Sequence, residues 1–281
     1  MKLHCLGTAG YHPNETRHTS CYFVPEAGLV LDAGSGLFRL TDLIQTRHLD
    51  ILISHAHLDH IVGLTFLLDV LHRRAEVGRP VESLRIFGQR AKLDAIRTHL
   101  FSDLIFPVPL SADWIAIDDQ PRFQAGGAEI AWRIQPHPGD SLGYRIDWPG
   151  HRLIYATDTS GQIGDADVQW CVQAGPEGES EPKRPDLLIH ECYFRDSHQE
   201  WAKQTGHSWT GRVAEVAGRV RPRRLLLTHL NPLETAADPI DSDRIASLVD
   251  YFAEKAPYLV VALLPEDAAN LDGDHRRIES V

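Results

Sequence analysis

The chain has few positive charges and no long apolar run, and both absences limit the partners that it can bind. Its 281 residues include 28 lysines and arginines against 39 aspartates and glutamates, which gives a formal net charge of −11. Because long nucleic acids are usually bound by a positive surface, this charge argues against a long nucleic acid as a partner. No apolar stretch reaches the roughly 18 residues that a membrane-spanning helix needs, so we expect no membrane partner.

Cysteine is also scarce, and its positions exclude one kind of metal site. The four cysteines include no Cys-x-x-Cys pair, so we expect no structural zinc knuckle. Cys5 and Cys21 fall in strand-like runs, where an unpaired cysteine behaves as a small buried hydrophobic residue. Residues 1–5 lack the apolar core of a signal peptide. We therefore predict a cytoplasmic protein with reduced thiols.

Strand-like and helix-like stretches alternate along the chain, which is 43% hydrophobic. This alternation predicts an α/β fold with helices outside packed sheets, and the length suits a single hydrolase domain over residues 1–281. Strands are predicted at Lys2–Leu6, Cys21–Val24, Gly28–Leu31, Ile51–Ile53, Leu84–Ile86, Glu129–Ile134, Leu142–Ile146, Arg152–Ala156, Leu187–Ile189, Leu225–Leu227 and Tyr258–Leu263. Helices are predicted at Gly63–Arg74, Gln89–Leu100, Trp209–Arg219 and Asp243–Lys255.

The segment His55–His60, with the sequence His-Ala-His-Leu-Asp-His, contains four side chains that can bind a metal. At this spacing the four side chains cannot all face one ion, and they suit two ions held side by side. A histidine-rich surface loop is the alternative. It is disfavoured because the segment follows the apolar run Leu49–Ile53 and leads directly into the apolar stretch Ile61–Leu71.

Two ions need more ligands, and three further residues follow strand-like runs later in the chain. These residues are His137, Asp158 and His229. Imidazole suits zinc and iron, and a carboxylate can bridge two cations by offering one oxygen to each. Any one of them alone would more often be a core residue than a ligand. Their order along the chain favours a dinuclear metal centre.

Together, these motifs resemble the metallo-β-lactamase superfamily, and within it the ribonuclease Z-like branch of phosphodiesterases. The resemblance extends from about residue 3 to about residue 270 and implies an αββα sandwich of two packed mixed β-sheets flanked by helices. Besides the residues above, it is carried by Leu6–Gly10, Pro13, Arg17, Ser20, Leu31–Gly36, Gly143–Arg145, Thr157–Thr159, Leu187–Glu191 and Gly206–Ser208. The glycines of Leu6–Gly10 are interpreted as permitting a tight backbone near the metals. They do not form a dinucleotide fingerprint, because this loop leads into a strand and not a helix.

The resemblance also implies roles for individual residues. One ion would be held by His55, His57 and His137, and the other by Asp59, His60 and His229, with Asp158 bridging the two. Asp59 would act as general base by orienting a metal-bridging hydroxide, and His207, paired with Glu191, would protonate the leaving oxygen. Zinc is the expected metal, and manganese or iron would suit the same ligands.

The last two roles have structural alternatives. His207 could belong to an ordinary helix start capped by Ser208 or Thr210, and Glu191 could pair with an arginine such as Arg195.

The predicted function is that of a dinuclear metal-dependent phosphodiesterase acting on a small or short nucleotide-type phosphodiester. In the ribonuclease Z-like branch, enzymes that mature transfer RNA carry a protruding arm. The arm is often inserted between the Gly-Tyr motif, here Gly143-Tyr144, and the bridging aspartate. Between Tyr144 and Asp158 this chain has room only for one hairpin that turns at Pro149-Gly150.

Three alternatives stay open. They are a hydrolase of a lactone, thioester or sulfate ester, a tRNA 3′-processing endonuclease, and a non-hydrolytic metal- or ligand-binding protein. The segment Leu100–Asp119 could form a lid or a dimer surface, and a homodimer is expected from the resemblance alone.

Overall fold

The computed structural model describes residues 1–175 and 182–234, Ile240, Ile245 and two short strands near the C-terminus. The chain divides into two compact units. The first contains residues 1–127 and the strand Ala268–Asn270, and the second contains the described residues from Ala128 to Ala262. A single catalytic domain over the whole chain stays a prediction. Within the described residues, no helix is long and apolar enough to cross a membrane.

The strands form two seven-stranded sheets, with the orders β14-β1-β2-β3-β4-β5-β6 and β13-β12-β11-β10-β9-β8-β7. The strands are β1 (Lys2–Gly7), β2 (Cys21–Val24), β3 (Leu29–Leu31), β4 (His48–Leu52), β5 (Ser83–Gly88), β6 (Asp113–Ala116), β7 (Arg122–Ala125), β8 (Ala128–Gln135), β9 (Ser141–Trp148), β10 (His151–Ala156), β11 (Leu187–Glu191), β12 (Arg224–Thr228), β13 (Val260–Ala262) and β14 (Ala268–Asn270). Both sheets are mixed. Strands β3 to β6 run parallel, as do β10 to β13. The pairs β14-β1, β1-β2, β2-β3, β8-β9 and β9-β10 are antiparallel.

Helices pack on each sheet and bury its apolar side chains. The helices are α1 (Leu58–Ile61), α2 (Leu67–Glu76), α3 (Arg90–Ala95), α4 (Asp165–Val172), α5 (Gln199–Thr205) and α6 (Thr210–Val220). In the first unit, apolar residues of β2 to β5 pack with α2 and α3. In the second unit, α6 contributes Val213, Ala217 and Val220 to a core shared with β11 and β12. The two mixed sheets with their helices confirm the α/β class predicted from the sequence.

The direction of the strands determines where the candidate ligands lie. Strands β10, β11 and β12 are adjacent and parallel, so Asp158, Glu191 and His229 emerge at the same edge of their sheet. In the first unit, β3 and β4 are parallel neighbours, and Asp32 and His55 follow their carboxyl ends. Each unit therefore gathers its own set of polar side chains at one edge of a sheet.

Several elements were missed by the sequence analysis. Strand β6 lies inside the segment that was expected to form a lid or dimer surface. It is an edge strand without fully buried positions, so it has no clear hydrophobic alternation. Helix α5 buries only Ala202, and its polar sequence gives no amphipathic signal. Strands β7 and β14 and helix α4 were also missed. Apart from Ile245, the predicted helix Asp243–Lys255 lies outside the described residues.

A buried charge network holds one end of α4 in place. Asp147 accepts hydrogen bonds from Nε of Arg145 at 2.9 Å and from Nε of Arg152 at 2.5 Å. Arg145 also donates to the main-chain oxygen of Trp170, and Arg152 to that of Cys171, both in the last turn of α4. All three charged side chains are almost fully buried. Asp147 therefore neutralises charge in the interior of the second unit.

All four cysteines are free and buried, which confirms the prediction that Cys5 and Cys21 are small core residues. Burial raises the pKa of the Cys171 thiol to about 11, and it raises the pKa of Cys21 further. Both thiols are therefore protonated at neutral pH.

Candidate metal centre

The first unit arranges the four ligands of the His55–His60 segment as two neighbouring pairs. Nε2 of His55 lies 2.9 Å from Nδ1 of His57. Nε2 of His60 lies 3.3 Å from Oδ2 of Asp59, because α1 begins at Leu58 and places both residues on its first turn. Two nitrogens bound to one tetrahedral zinc at about 2.0–2.1 Å would be roughly 3.3 Å apart. Both pairs have a spacing that fits ligands of a common ion.

Asp32 orients these histidines, a role that the sequence analysis did not assign to it. Its buried carboxylate lies 2.8 Å from Nδ1 of His60 and accepts hydrogen bonds from the main-chain nitrogen and the hydroxyl of Ser54. Since the Ser54 hydroxyl donates to Asp32, it accepts from Nδ1 of His55 at 3.0 Å. Both imidazoles are thereby protonated at Nδ1 and present the lone pair of Nε2. Carboxylates behind metal-ligating histidines act in this way.

The second unit places Asp158 between two histidines. Oδ2 of Asp158 lies 3.6 Å from Nε2 of His137, and Oδ1 lies 3.2 Å from Nε2 of His229. Each oxygen therefore faces a different imidazole, which is the arrangement that a bridging carboxylate requires. Thr157 donates its hydroxyl hydrogen to Oδ1 of Asp158 at 2.7 Å and fixes the carboxylate.

His137 is held in the neutral form that binds metals. Its Nδ1 donates to the main-chain oxygen of Gly206 at 3.2 Å, which leaves the lone pair on Nε2. Burial lowers the pKa of His137, although the nearby Asp158 opposes this shift. Gly206 has a φ of +76°, and a Cβ there would lie 2.4 Å from Pro138. Only glycine fits this close approach.

Glu191 and His207 form a second polar group at the same edge of this sheet. The fully buried carboxylate of Glu191 lies 3.1 and 3.2 Å from Nδ1 of His207. It also accepts hydrogen bonds from the main-chain nitrogens of Thr159 and Ser208. The alternative pairing of Glu191 with Arg195 is wrong, since Arg195 lies 3.9 Å from Glu234 instead.

The alternative reading of His207 as part of a capped helix start is also wrong. Helix α6 begins at Thr210 with Trp209 as its N-cap residue, and its first turn is capped by Asp196, which accepts a hydrogen bond from the main-chain nitrogen of Gly211. Ser208 instead donates its hydroxyl hydrogen to the main-chain oxygen of Thr159. The ring of His207 stacks on Tyr193, with centroids 5.1 Å apart, and on His229, with centroids 5.2 Å apart. These contacts hold the imidazole of His207 next to a candidate metal ligand.

Each unit thus contributes His and Asp side chains to groups able to bind metal. In each pair above, the candidate ligand atoms lie within 4.8 Å of one another. The donors are imidazole nitrogens and carboxylate oxygens, a set that suits zinc, manganese or iron. The first unit supplies His55, His57, Asp59 and His60, and the second supplies His137, Asp158 and His229.

Comparison with known proteins gives the family. A family profile described as "Beta-lactamase superfamily domain" matches residues 29–230. A ribonuclease Z of Archaeoglobus fulgidus is 27% identical, over 82% of this chain and 87% of its own. Two solved structures are similar: the metallo-beta-lactamase fold protein YhfI from Bacillus subtilis (TM-score 0.72, 21% identity, 95% of this chain and 98% of that one) and the human tRNase Z short form (TM-score 0.62, 25% identity, 82% and 93%). The chain belongs to the metallo-β-lactamase superfamily, in its ribonuclease Z-like branch.

Family membership confirms the fold class that the resemblance implied. It also confirms the prediction that the chain belongs to a family of metal-dependent hydrolases.

Proposed function

We propose that the chain is a metal-dependent phosphodiesterase and that the ligand sets of its two units combine in one catalytic domain to hold two divalent ions. His55, His57 and His137 would hold one ion, and Asp59, His60 and His229 the other, with Asp158 between them. Zinc is the proposed metal. Bound divalent ions would neutralise the phosphodiester anion and lower the pKa of a water molecule. Asp59 would orient that water for attack on phosphorus.

The contact between Glu191 and His207 is the observation that favours an ester with an alcohol leaving group, such as a phosphodiester, over a thioester. The Glu191 carboxylate, 3.1 Å from Nδ1 of His207, stabilises a proton there and directs Nε2 of the ring away from itself. An alkoxide leaving group needs a proton, and an imidazole supplies one near neutral pH. A thiolate leaving group needs no such donor. His207 therefore suits hydrolysis of a diester whose leaving group is an alcohol such as a ribose hydroxyl.

RNA is the first substrate class that the relatives support. Proteins named ribonuclease Z are 27% and 29% identical to this chain, and the human tRNase Z short form has a similar structure. Processing of a transfer RNA 3′ end is therefore the first candidate reaction. The expectation that a long nucleic acid is disfavoured as a partner conflicts with these relatives, and we withdraw it. A formal charge of −11 does not describe local patches such as the exposed Arg221 and Arg223.

A small phosphodiester is the second candidate, and one observation supports it. Strands β9 and β10 form a tight hairpin in which Trp148 pairs with His151 across the turn at Pro149-Gly150. No RNA-gripping arm interrupts the described segment between Tyr144 and Asp158. A substrate held near the metals alone would not need such an arm.

The two candidates can be separated with one protein preparation. We would load the protein with zinc and, separately, with manganese. Each form would be offered bis(p-nitrophenyl) phosphate and a precursor transfer RNA with a 3′ trailer, with Asp158→Ala as the control. Cleavage of the precursor transfer RNA at the trailer junction, together with hydrolysis of bis(p-nitrophenyl) phosphate, would support the RNA reaction. Hydrolysis of bis(p-nitrophenyl) phosphate alone would support a small substrate. Silence toward both by protein with bound metal would contradict the phosphodiesterase and favour lactone, thioester or sulfate ester hydrolysis.

A further inference from the structure

We propose that Tyr11 is a stacking platform for a nucleobase of the substrate next to the scissile phosphodiester. The inference rests on the proposed function, because it names a group of the substrate that this function would bring to Asp59.

Tyr11 has a backbone conformation that a large side chain rarely adopts. Its φ is +62°, and the main-chain nitrogen of His12 donates to the main-chain oxygen of Gly10 at 2.7 Å. This hydrogen bond closes a three-residue γ-turn with Tyr11 at its centre. A γ-turn with positive φ at its central residue is rare and strained, and glycine or asparagine would adopt this φ more easily. The tyrosine side chain is therefore not required by the turn.

The turn is tied directly to a candidate catalytic residue. The main-chain nitrogen of Tyr11 donates to Oδ2 of Asp59 at 2.8 Å, and the same oxygen lies 3.3 Å from Nε2 of His60. Strained backbone tends to occur at functional sites, where the surrounding structure holds it in place. The position of Tyr11 is consequently fixed relative to the proposed general base.

The ring of Tyr11 is presented to solvent. Tyr11 is 75% exposed, and its ring meets the ring of His12 edge-on at a centroid distance of 5.4 Å. Leu58, which precedes Asp59, is 68% exposed. Neither side chain contributes to the core of its unit. The ring of Tyr11 is therefore an exposed flat surface on a residue that is hydrogen-bonded to Asp59.

Hydrogen bonds also fix the backbone of the rest of the loop. Ala9 donates to the main-chain oxygen of His18, and Asn14 accepts hydrogen bonds from the main-chain nitrogens of Thr16 and Arg17 through its side chain. The backbone that carries the ring therefore needs no ordering when a ligand binds. Stacking of one base on an aromatic side chain contributes about tenfold or more to affinity.

The test compares Tyr11→Asn with Tyr11→Trp in the metal-loaded full chain. Asparagine tolerates the left-handed backbone and keeps the main-chain donor to Asp59 but lacks the ring, whereas tryptophan keeps an aromatic surface. Leu104, which is remote from Tyr11 in sequence and even more exposed, is replaced by asparagine as the control for loss of an exposed apolar side chain. Calorimetry would give the Kd of thymidine 5′-monophosphate and of inorganic phosphate for each protein.

We expect Tyr11→Asn to weaken thymidine 5′-monophosphate about tenfold more than it weakens phosphate, while Tyr11→Trp and Leu104→Asn keep the wild-type ratio of the two Kd values. Thymidine 5′-(p-nitrophenyl phosphate) and methyl p-nitrophenyl phosphate share a leaving group. In Tyr11→Asn, the ratio of kcat/KM for the first substrate to that for the second should fall along with the preference for thymidine 5′-monophosphate. An unchanged Kd ratio in Tyr11→Asn would overturn the platform. Absence of hydrolysis by the wild-type protein would instead count against the proposed phosphodiesterase, because the binding ratio does not depend on turnover.

Discussion

Oδ2 of Asp32 lies 2.8 Å from Nδ1 of His60, and both side chains are fully buried. The same oxygen accepts the hydroxyl hydrogen of Ser54, which in turn accepts from Nδ1 of His55. One carboxylate therefore decides which nitrogen carries the proton in two different imidazoles. The tautomer that lets His55 and His60 offer Nε2 to a metal therefore depends on Asp32.

We predict that Asp32→Asn lowers zinc affinity by roughly 10- to 100-fold, because the amide can no longer accept every hydrogen bond that the carboxylate accepts. Competition with a chromophoric chelator measures the affinity, and circular dichroism checks that the fold is kept. Asp42→Asn, at an exposed aspartate of the same unit, serves as the control. Equal zinc affinities for all three proteins would show that Asp32 does not orient the ligands.

For His207→Ala we predict unchanged metal content and slower hydrolysis. The deficit should shrink on substrates with acidic leaving groups, since such groups depart without protonation. The rate of each protein would be measured on a series of aryl and alkyl phosphodiesters of increasing leaving-group pKa. Glu191→Gln should show the same trend in weaker form, because it removes the charge that favours protonated His207. A constant deficit across the series would assign His207 a structural role.

Asp147→Ala should lower the free energy of unfolding by about 3–5 kcal/mol, because it leaves Arg145 and Arg152 buried without their shared carboxylate. Urea denaturation followed by tryptophan fluorescence measures this change. The matched control is Asp94→Ala, which removes an exposed ion pair with Arg97 and should change stability by less than about 1 kcal/mol. Similar losses in the two variants would contradict the importance of the buried network.

His190 should make the protein less stable as the pH falls. Burial lowers the pKa of this imidazole below its usual 6.5. At pH values below 6.5 the unfolded chain therefore binds a proton that the folded chain does not, and stability is lost as the pH falls toward the folded pKa. Unfolding of metal-free wild-type protein and His190→Asn would be compared between about pH 7.5 and about pH 5.5. The difference between their unfolding free energies should change with pH. A constant difference would show that protonation of His190 is not coupled to unfolding.

The candidate ligands are evident from the sequence, but the residues that orient them are not. The His55–His60 segment and the ligands after β10 and β12 could be predicted, because ligand type and strand-end position are both visible in the linear sequence. The role of Asp32 was missed because it depends on the parallel pairing of β3 with β4, which places Ser54 beside it. The γ-turn at Tyr11 was missed because positive φ is expected at glycine or asparagine. Strand β6 and helix α5 were missed because their burial is too partial to produce a periodic pattern.

The most direct test of the central claim is the number of zinc ions that the wild-type protein and Asp158→Ala bind. Native mass spectrometry would count the ions, and the same samples would be assayed for hydrolysis of bis(p-nitrophenyl) phosphate. The account predicts two zinc ions and turnover for the wild type, with loss of at least one ion and of all turnover in the variant. Two bound ions and full turnover in Asp158→Ala would contradict the bridging role of Asp158 and, with it, the proposed dinuclear centre.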